Sequence, residues 1–436
     1  MISNPRAVLC IAAVLLAAQL PAATFQIGPG DTAGLINAWT TAVSNGEADE
    51  IVLAPNAVYE FDGATLFSAS ALPSVASDSG TSLTLTANGA TFRPSSAPGT
   101  PQFRLINVAT GADLRIDGLT IADVHGGTNP AISVSGALQL TNSRILRNTR
   151  RAANPIGGAI FFGTSSRGTV QDTHFEGNVV EATEEPGGGA LGFSGAGPYV
   201  IERCQFIGNR SVQIPSPNTD FGRGGAIYAS ASATGLVIRD SHFEGNRAEI
   251  EAGFTGADLT EGGGISLLNR GALIERCSFV GNFSNHFGSA IYIIATLSQP
   301  RTLRMVDCTV IGNLSAPEVP MAAIHATGPG VTLELVNVTA AGNDEADVFI
   351  LQAISQSYSN SIIGTLMRQS TVPPLTIEST LIGQVIGSQA ASFVLPPNNF
   401  TYASLGVDGM DELLDLRALS LGGNGTLVVP PSPGRP

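Results

Sequence analysis

A pair of short motifs recurs through the middle of the chain, and that recurrence confines the fold to a stack of similar units. The first motif reads GGAI at residues 157–160 and 224–227. Variants are GGAL at 188–191, GGGI at 262–265 and GSAI at 288–291. The second reads F-x-G-N at 175–178, 206–209, 243–246 and 279–282, softened at 310–313 and 340–343. The asparagines Asn148, Asn178, Asn209, Asn246, Asn282, Asn313 and Asn343 are spaced 30, 31, 37, 36, 31 and 30 residues apart. From the GGAI isoleucine to the following aromatic the count barely changes: 15 from Ile160 to Phe175, 15 from Leu191 to Phe206, 16 from Ile227 to Phe243. The extra residues therefore fall between the Asn and the next Gly pair, in the polar segments 179–186, 210–223 and 247–261. Each repeat is expected to bulge at the same corner, so these loops should line up on one side.

Within each repeat an aliphatic residue is followed three positions later by a small one, two later by a large apolar one and three later by a polar one. Examples are Val170, Thr173, Phe175 and Asn178, then Ile201, Cys204, Phe206 and Asn209. A worn copy survives at Ile377, Thr380, Ile382 and Val385. Cys204 and Phe206 are two apart and share one face of a strand. No window carries a helical stripe across a whole repeat, which disfavours helical repeat arrays. The pattern fits a coil of two or three short strands per turn, with successive coils ~4.8 Å apart. Each position then becomes a column of like residues running up the stack. Asn next to Gly tolerates a left-handed corner, and stacked Asn amides can hydrogen-bond along their column. The Gly pair suits a corner too tight for a Cβ. The small column Thr173, Cys204, Ser241, Cys277 and Cys308 implies a cramped interior, where Cys serves as a small hydrophobe. Cys277 and Cys308 fall in adjacent coils, within possible reach of a disulfide.

The start of the chain reads differently. Arg6, the apolar run from Val8 to Leu20 and the small residues Ala22 and Ala23 read as a secretory signal over residues 1–23. Asp31 is placed to cap a short helix running toward Ser44, with Leu35, Ile36, Trp39 and Val43 on one stripe and Gly46 as its stop. A stack exposes apolar interior and strand edge at its first unit, so this helix is expected to lie across that end as a lid. Strands are expected over Glu50–Leu53, Ser82–Thr86 and 91–93, with a turn at Asn88-Gly89 and a Ser-rich loop over 67–80.

The GGAI and F-x-x-N repeats resemble those of the chlamydial polymorphic outer membrane proteins. They are also similar to the repeats of a wide group of bacterial secreted right-handed parallel β-helix proteins. The segment NGATFRPSSAPGTPQFRLINVATGADLRIDGLTIAD is similar to the opening coils of that group. The resemblance covers roughly residues 25–385 and implies a surface or adhesive role. The chlamydial proteins end in a membrane barrel. Here no run of alternating barrel strands follows Val385, and the tail ends in a Pro-rich VVPPSPGRP.

Composition narrows the partners. The chain has no lysine, 21 arginines and 35 acids, for a net charge of −14. Such a surface has no footprint for nucleic acid and is repelled by anionic membranes. No stretch after the leader is apolar enough to span a bilayer.

Pectate-lyase-like enzymes share this coil, so outward carboxylates and histidines are its candidate groups for chemistry. Glu176 and Glu244 share a column with Ile207 between them; His174 and His242 share the next, with Gln205 between. Members two coils apart lie ~10 Å apart, too far to share one ligand. Asp123 and His125 precede a Gly pair and read as a polar turn. Asp172 and Asp240 read as corner residues closing their own turns. Glu181, Glu184 and Glu185 form an acidic loop without the spaced ligands of a calcium site. No Lys follows the Gly-rich strings, so they are corners rather than phosphate cradles.

The sequence thus predicts an all-β, right-handed parallel β-helix of roughly ten to eleven coils with an N-terminal capping helix. Its expected parts are a signal (1–23), a cap and opening coils (24–110), the repeats (111–385), and a terminal coil with a Pro-rich tail (386–436). The expected role is a secreted or surface-exposed, non-enzymatic monomer. It would bind a polysaccharide or a cell-surface protein through its corner loops, with no catalytic residue, cofactor or metal assigned. The alternative is a polysaccharide lyase or glycoside hydrolase.

Overall fold

A computed structural model describes residues 23–386 apart from 79, 215–220, 231–234, 252–258, 317–320, 344–345, 354 and 370–374. It also describes Asn399 and two short strands, Ser420–Leu421 and Leu427–Val428. Residues 1–22 of the predicted signal and most of the predicted tail lie outside the described residues.

The template folds as a right-handed parallel β-helix. Each repeat contributes one strand to each of three ladders, and equivalent strands of successive coils pair in parallel. In one coil these are Ala137–Thr141, Arg144–Leu146 and Ile160–Phe162; in the next they are Arg167–Gln171, His174–Glu176 and Leu191–Phe193. The first ladder has thirteen strands, from Thr24–Ile27 to Leu375–Glu378. Its first three strands precede the repeats predicted over 111–385.

Columns of like residues are in register. Phe175 pairs with Phe206, Phe206 with Phe243 and Phe243 with Phe279. All four rings are fully buried and stack face to face, with centroids 4.8, 4.7 and 4.7 Å apart and planes within 7°. A backbone spacing of ~4.8 Å leaves identical side chains no other low-energy packing.

The asparagine column is also a ladder. Asn148 Nδ2 donates to Asn178 Oδ1 at 2.9 Å, and the same bond recurs from Asn178 to Asn209, Asn209 to Asn246, Asn246 to Asn282, Asn282 to Asn313 and Asn313 to Asn343. Each Oδ1 also accepts the backbone N–H of the Asn one coil back, as from Asn178 N to Asn209 Oδ1 at 3.1 Å. The amides all point the same way, and Asp347 closes the donor end by accepting from Asn343 Nδ2 at 2.7 Å. The sequence reading assigned the left-handed corner to these asparagines. The structure gives it to the preceding glycines, with φ of 63° at Gly177 and 58° at Gly208. The Asn side chain is needed inside, and Gly takes the strained conformation at no steric cost.

The Gly pairs behave as predicted. A Cβ on Gly225 would sit 2.1 Å from Gly263 O and 2.4 Å from Arg247 N, backbone atoms that cannot yield. The small column is buried, and its three cysteines are free thiols, so the Cys277–Cys308 bond is not made. Burial pushes the Cys204 and Cys277 thiols up to about 12. A thiol held so far above neutrality has almost no thiolate, the nucleophilic and metal-binding form.

Helix α1 (Thr32–Ala42) begins as predicted, with Asp31 accepting from Gly34 N at 2.8 Å. Leu35 and Trp39 are fully buried, Ala38 and Ala42 complete the stripe, and the Trp39 indole donates to Pro73 O at 2.9 Å. The helix packs on the first strands of the coil, which keeps their apolar ends from water.

Candidate functional site

The outer faces carry the candidate residues, because the coil interior is filled. On the second ladder His174, Gln205 and His242 face outward in one column, as expected. Each histidine is engaged within its own strand: His174 Nε2 lies 2.9 Å from Glu176 and His242 Nε2 3.1 Å from Glu244. Their Nδ1 atoms meet Gln205 and Ser278 of the next coil. Ile207 separates Glu176 from Glu244, so the two pairs stay separate rather than forming one site.

Asp172 and Asp240 do sit at left-handed corners, with φ of 49° and 51°. They do not merely close their own turns. Arg203 grips Asp172 with two bonds of 2.7 and 2.8 Å, and Arg276 grips Asp240 with two of 2.6 and 2.9 Å. The guanidinium bonds hold both carboxyls below the usual carboxylate range. The corner column therefore alternates in sign, Asp172–Arg203–Asp240–Arg276–Asp307. The arrangement is structural, and being exposed it contributes little to stability. Asp123 is likewise paired with Arg147, at 2.8 Å. His125 is exposed but not in a turn: it bridges in parallel to Thr149 of the next coil.

The predicted corner after the asparagines is more ordered than a row of loops. Its first residues form a fourth, six-stranded parallel ladder: Thr149–Arg151, Val179–Ala182, Arg210–Gln213, Arg247–Ile250, Phe283–Ser284 and Leu314–Ser315. The Asn ladder fixes where each segment starts, so neighbouring backbones meet in register and pair before diverging. Segments 215–220 and 252–258 lie outside the described residues. On the outer side of this ladder Arg210 pairs with Glu249, and Arg247 lies 4.1 Å over the Phe283 ring.

After the corner the chain folds back over the third ladder. Phe221–Arg223 pairs with Leu259–Glu261, and a column Ile156–Gly187–Arg223–Glu261–Phe287 covers the ladder's outward residues. Tyr228, Tyr292 and His325 are buried beneath it although they point away from the coil. Here lies a cluster that sequence reasoning missed. Arg223 Nε lies 3.1 Å from Glu261 and Nη1 2.8 Å from Glu185, so two carboxylates on different coils share one guanidinium. Burial raises the Glu261 carboxyl above its ordinary range despite the cation. Glu261 is only 4% exposed, whereas Glu185 reaches the surface. The signal was present: Arg223 and Glu261 each stand immediately before a Gly pair, hence in one column.

His325 sits deeper in the same face. Its ring centroid is 4.4 Å from Phe349, 5.1 Å from Phe287 and 5.3 Å from Tyr292, and its Nδ1 has no hydrogen-bond partner. Burial drives its pKa down to about 3. The folded protein then refuses a proton that the unfolded chain accepts below about pH 6.5. Stability from this group is full above that pH and falls as pH drops toward 3. His325→Phe, which continues the aromatic column, is expected to narrow the stability gap between pH 7 and pH 4.5 by about 2 kcal/mol. Denaturant titrations at the two pH values check this. Glu261 works in the opposite sense, so the difference between the two proteins is the readout.

Among the described residues no helix is long and apolar enough to cross a membrane. No group of three or more His, Cys, Asp and Glu side chains there is placed to hold a metal.

No curated protein matches the sequence. Two solved structures are similar in fold. One is tailspike protein 3 of bacteriophage CBA120, at 12% identity and TM-score 0.36, covering 87% of this chain and 59% of that one. The chain thus spans 59% of the tailspike's length. The other is PfbA, a surface adhesin of Streptococcus pneumoniae, at 11% identity and TM-score 0.29, covering 84% of this chain and 91% of that one. Residues 79–344 match the family described as the right-handed beta helix region. That span holds every F-x-G-N repeat and the whole Asn ladder, and the chain belongs to the right-handed β-helix family.

Proposed function

We propose that this chain is an exported or surface-exposed binding protein that performs no chemistry. It presents the corner after the Asn ladder to a polysaccharide or to a protein on a cell surface. The observation that carries the reading is the fourth ladder. It holds six successive corner segments in one parallel row, which fixes where each of these segments begins. Pre-positioned segments lose little freedom on binding. The net charge of −14 argues against nucleic acid as the partner.

The lyase or hydrolase alternative has one observation in its favour, the two carboxylates on Arg223. A carboxylic acid with a raised pKa beside a second carboxyl group is what glycoside hydrolysis uses. Against it, the Glu261 side chain is buried within the folded-back segment and both carboxylates are engaged by the same cation. The test is to incubate the purified protein with acidic and neutral polysaccharides and read both retention and new unsaturated or reducing ends. Retention without new ends is the expected result. Cleavage of any polymer overturns the non-enzymatic reading and directs attention to Glu185 and Glu261.

A further inference from the structure

Charge is unevenly spread along the shaft. The chain as a whole carries 35 acids against 21 arginines, yet residues 93–167 carry eight arginines and three acids. Pairing is uneven as well. Arginines elsewhere mostly meet a carboxylate: Arg203, Arg210, Arg223, Arg239, Arg247, Arg276 and Arg304 all do so within 4.0 Å. Among the described residues Arg104, Arg144, Arg150, Arg151 and Arg167 have no carboxylate in that range. A few coils thus form a cationic band with spare positive charge on an otherwise acidic molecule.

On the first ladder this band has a concave site. A groove of about 180 Å³ is lined by Asp113, Arg115, Gln139, Arg167, Thr169 and Val200 among others. Arg115, Gln139, Thr169 and Val200 form one outward column on four successive coils. Arg167 lies on the Thr169 strand, two residues before it. Arg115 and Arg167 are exposed, and only Arg115 has an acid nearby, Asp113 at a loose 3.7 Å. The two guanidiniums are therefore rooted two coils apart, ~10 Å along the shaft, and two residues apart across it, ~7 Å, so the site runs diagonally over the strands. The coil between them offers the Gln139 amide, a donor and acceptor without charge. Because the coil rise of ~4.8 Å is close to the length of one pyranose unit, the groove reads as cation, neutral, cation at a spacing of one sugar per coil.

We propose that this groove binds an anionic polysaccharide whose acid groups fall on alternate sugar units. Arg115 and Arg167 would meet two acids, while Gln139 and Thr169 hydrogen-bond the neutral unit and the hydroxyls beside it. Charge-assisted bonds from planar guanidiniums suit carboxylate or sulfate groups. The surrounding acidic surface repels the polymer elsewhere and confines it to the band. The proposal shares with the preceding reading only the class of ligand, and uses a different face.

The test is calorimetric titration of the full chain at low salt with three probes: hyaluronan oligosaccharides (an acid on alternate units), polygalacturonate oligosaccharides (an acid on every unit) and dextran (none). Hyaluronan fragments are expected to bind best, dextran not at all. Arg115→Ala and Arg167→Ala should each weaken hyaluronan binding about tenfold. Arg144→Ala, on another face of the band, should leave it unchanged. All three side chains are exposed, so an unchanged melting temperature shows that the variants remain folded. Absence of hyaluronan binding overturns the proposal, and tighter binding of polygalacturonate overturns the alternation. Binding that is weakened by Arg210→Ala on the corner ladder, but not by the groove variants, overturns the groove and leaves the corner reading standing.

Discussion

Phe206→Ala is expected to destabilise the protein by about 3–5 kcal/mol, measured as the shift in denaturant midpoint at constant slope. Phe206 is fully buried and sandwiched between Phe175 and Phe243, with ring centroids 4.8 and 4.7 Å away. Truncation removes both faces of that stack. The hole cannot close, because the flanking rings are fixed by their own backbones, paired in register with strand 205–207. Phe206→Leu retains most of the volume and is expected to lose less than half as much. A negligible loss from the alanine variant would mean that the ring is not interior.

Asn209→Ala should be as damaging for a different reason, with a loss on the order of 4 kcal/mol. Asn209 Oδ1 accepts both the backbone N–H and Nδ2 of Asn178, while its own Nδ2 donates to Phe175 O and Asn246 Oδ1, each at 3.0 Å. Alanine orphans two donors and a carbonyl in a place no water reaches, and each orphan costs about 1–3 kcal/mol. Asn209→Asp separates volume from hydrogen bonding. It keeps the shape and the acceptor, cannot donate, and sets a carboxylate against the Asn246 oxygen. We expect it to be no better than alanine at neutral pH.

These two residues also show how much could be read without coordinates. Phe206 and Asn209 belong to columns that repeat every 30–37 residues, and a residue repeated at one point of a coil must meet its own copies. The columns, their register and the position of the corner were legible for that reason. The helical cap was legible because Asp31 and Trp39 obey local rules of capping and periodicity. The division of labour between Gly177 and Asn178 was not, since both tolerate a left-handed corner. Only the demand of the interior for an amide decides which takes it. The fourth ladder was missed because its strands are two to four residues long and differ in sequence from coil to coil; backbone pairing holds them, not a side-chain pattern. The Arg223–Glu261 pair spans 38 residues and one variable segment. It becomes visible only when the repeats are aligned on their Gly pairs rather than on their aromatics.

The central claim is that residues equivalent in the repeat lie directly above one another, and paired cysteines on the outer face of the second ladder test it most directly. Gln205 and His242 are register partners one coil apart, and His242 pairs in turn with Ser278. In Gln205→Cys/His242→Cys the two Cα atoms should stand ~4.8 Å apart, within disulfide range. In Gln205→Cys/Ser278→Cys they should stand ~10 Å apart, beyond it. Among the described residues the native thiols Cys204, Cys277 and Cys308 are buried and will not compete. Under mild oxidation the first pair is predicted to form an intramolecular bridge and the second to stay reduced. Bridging of the second pair, or of neither, would contradict the stacking on which the account depends.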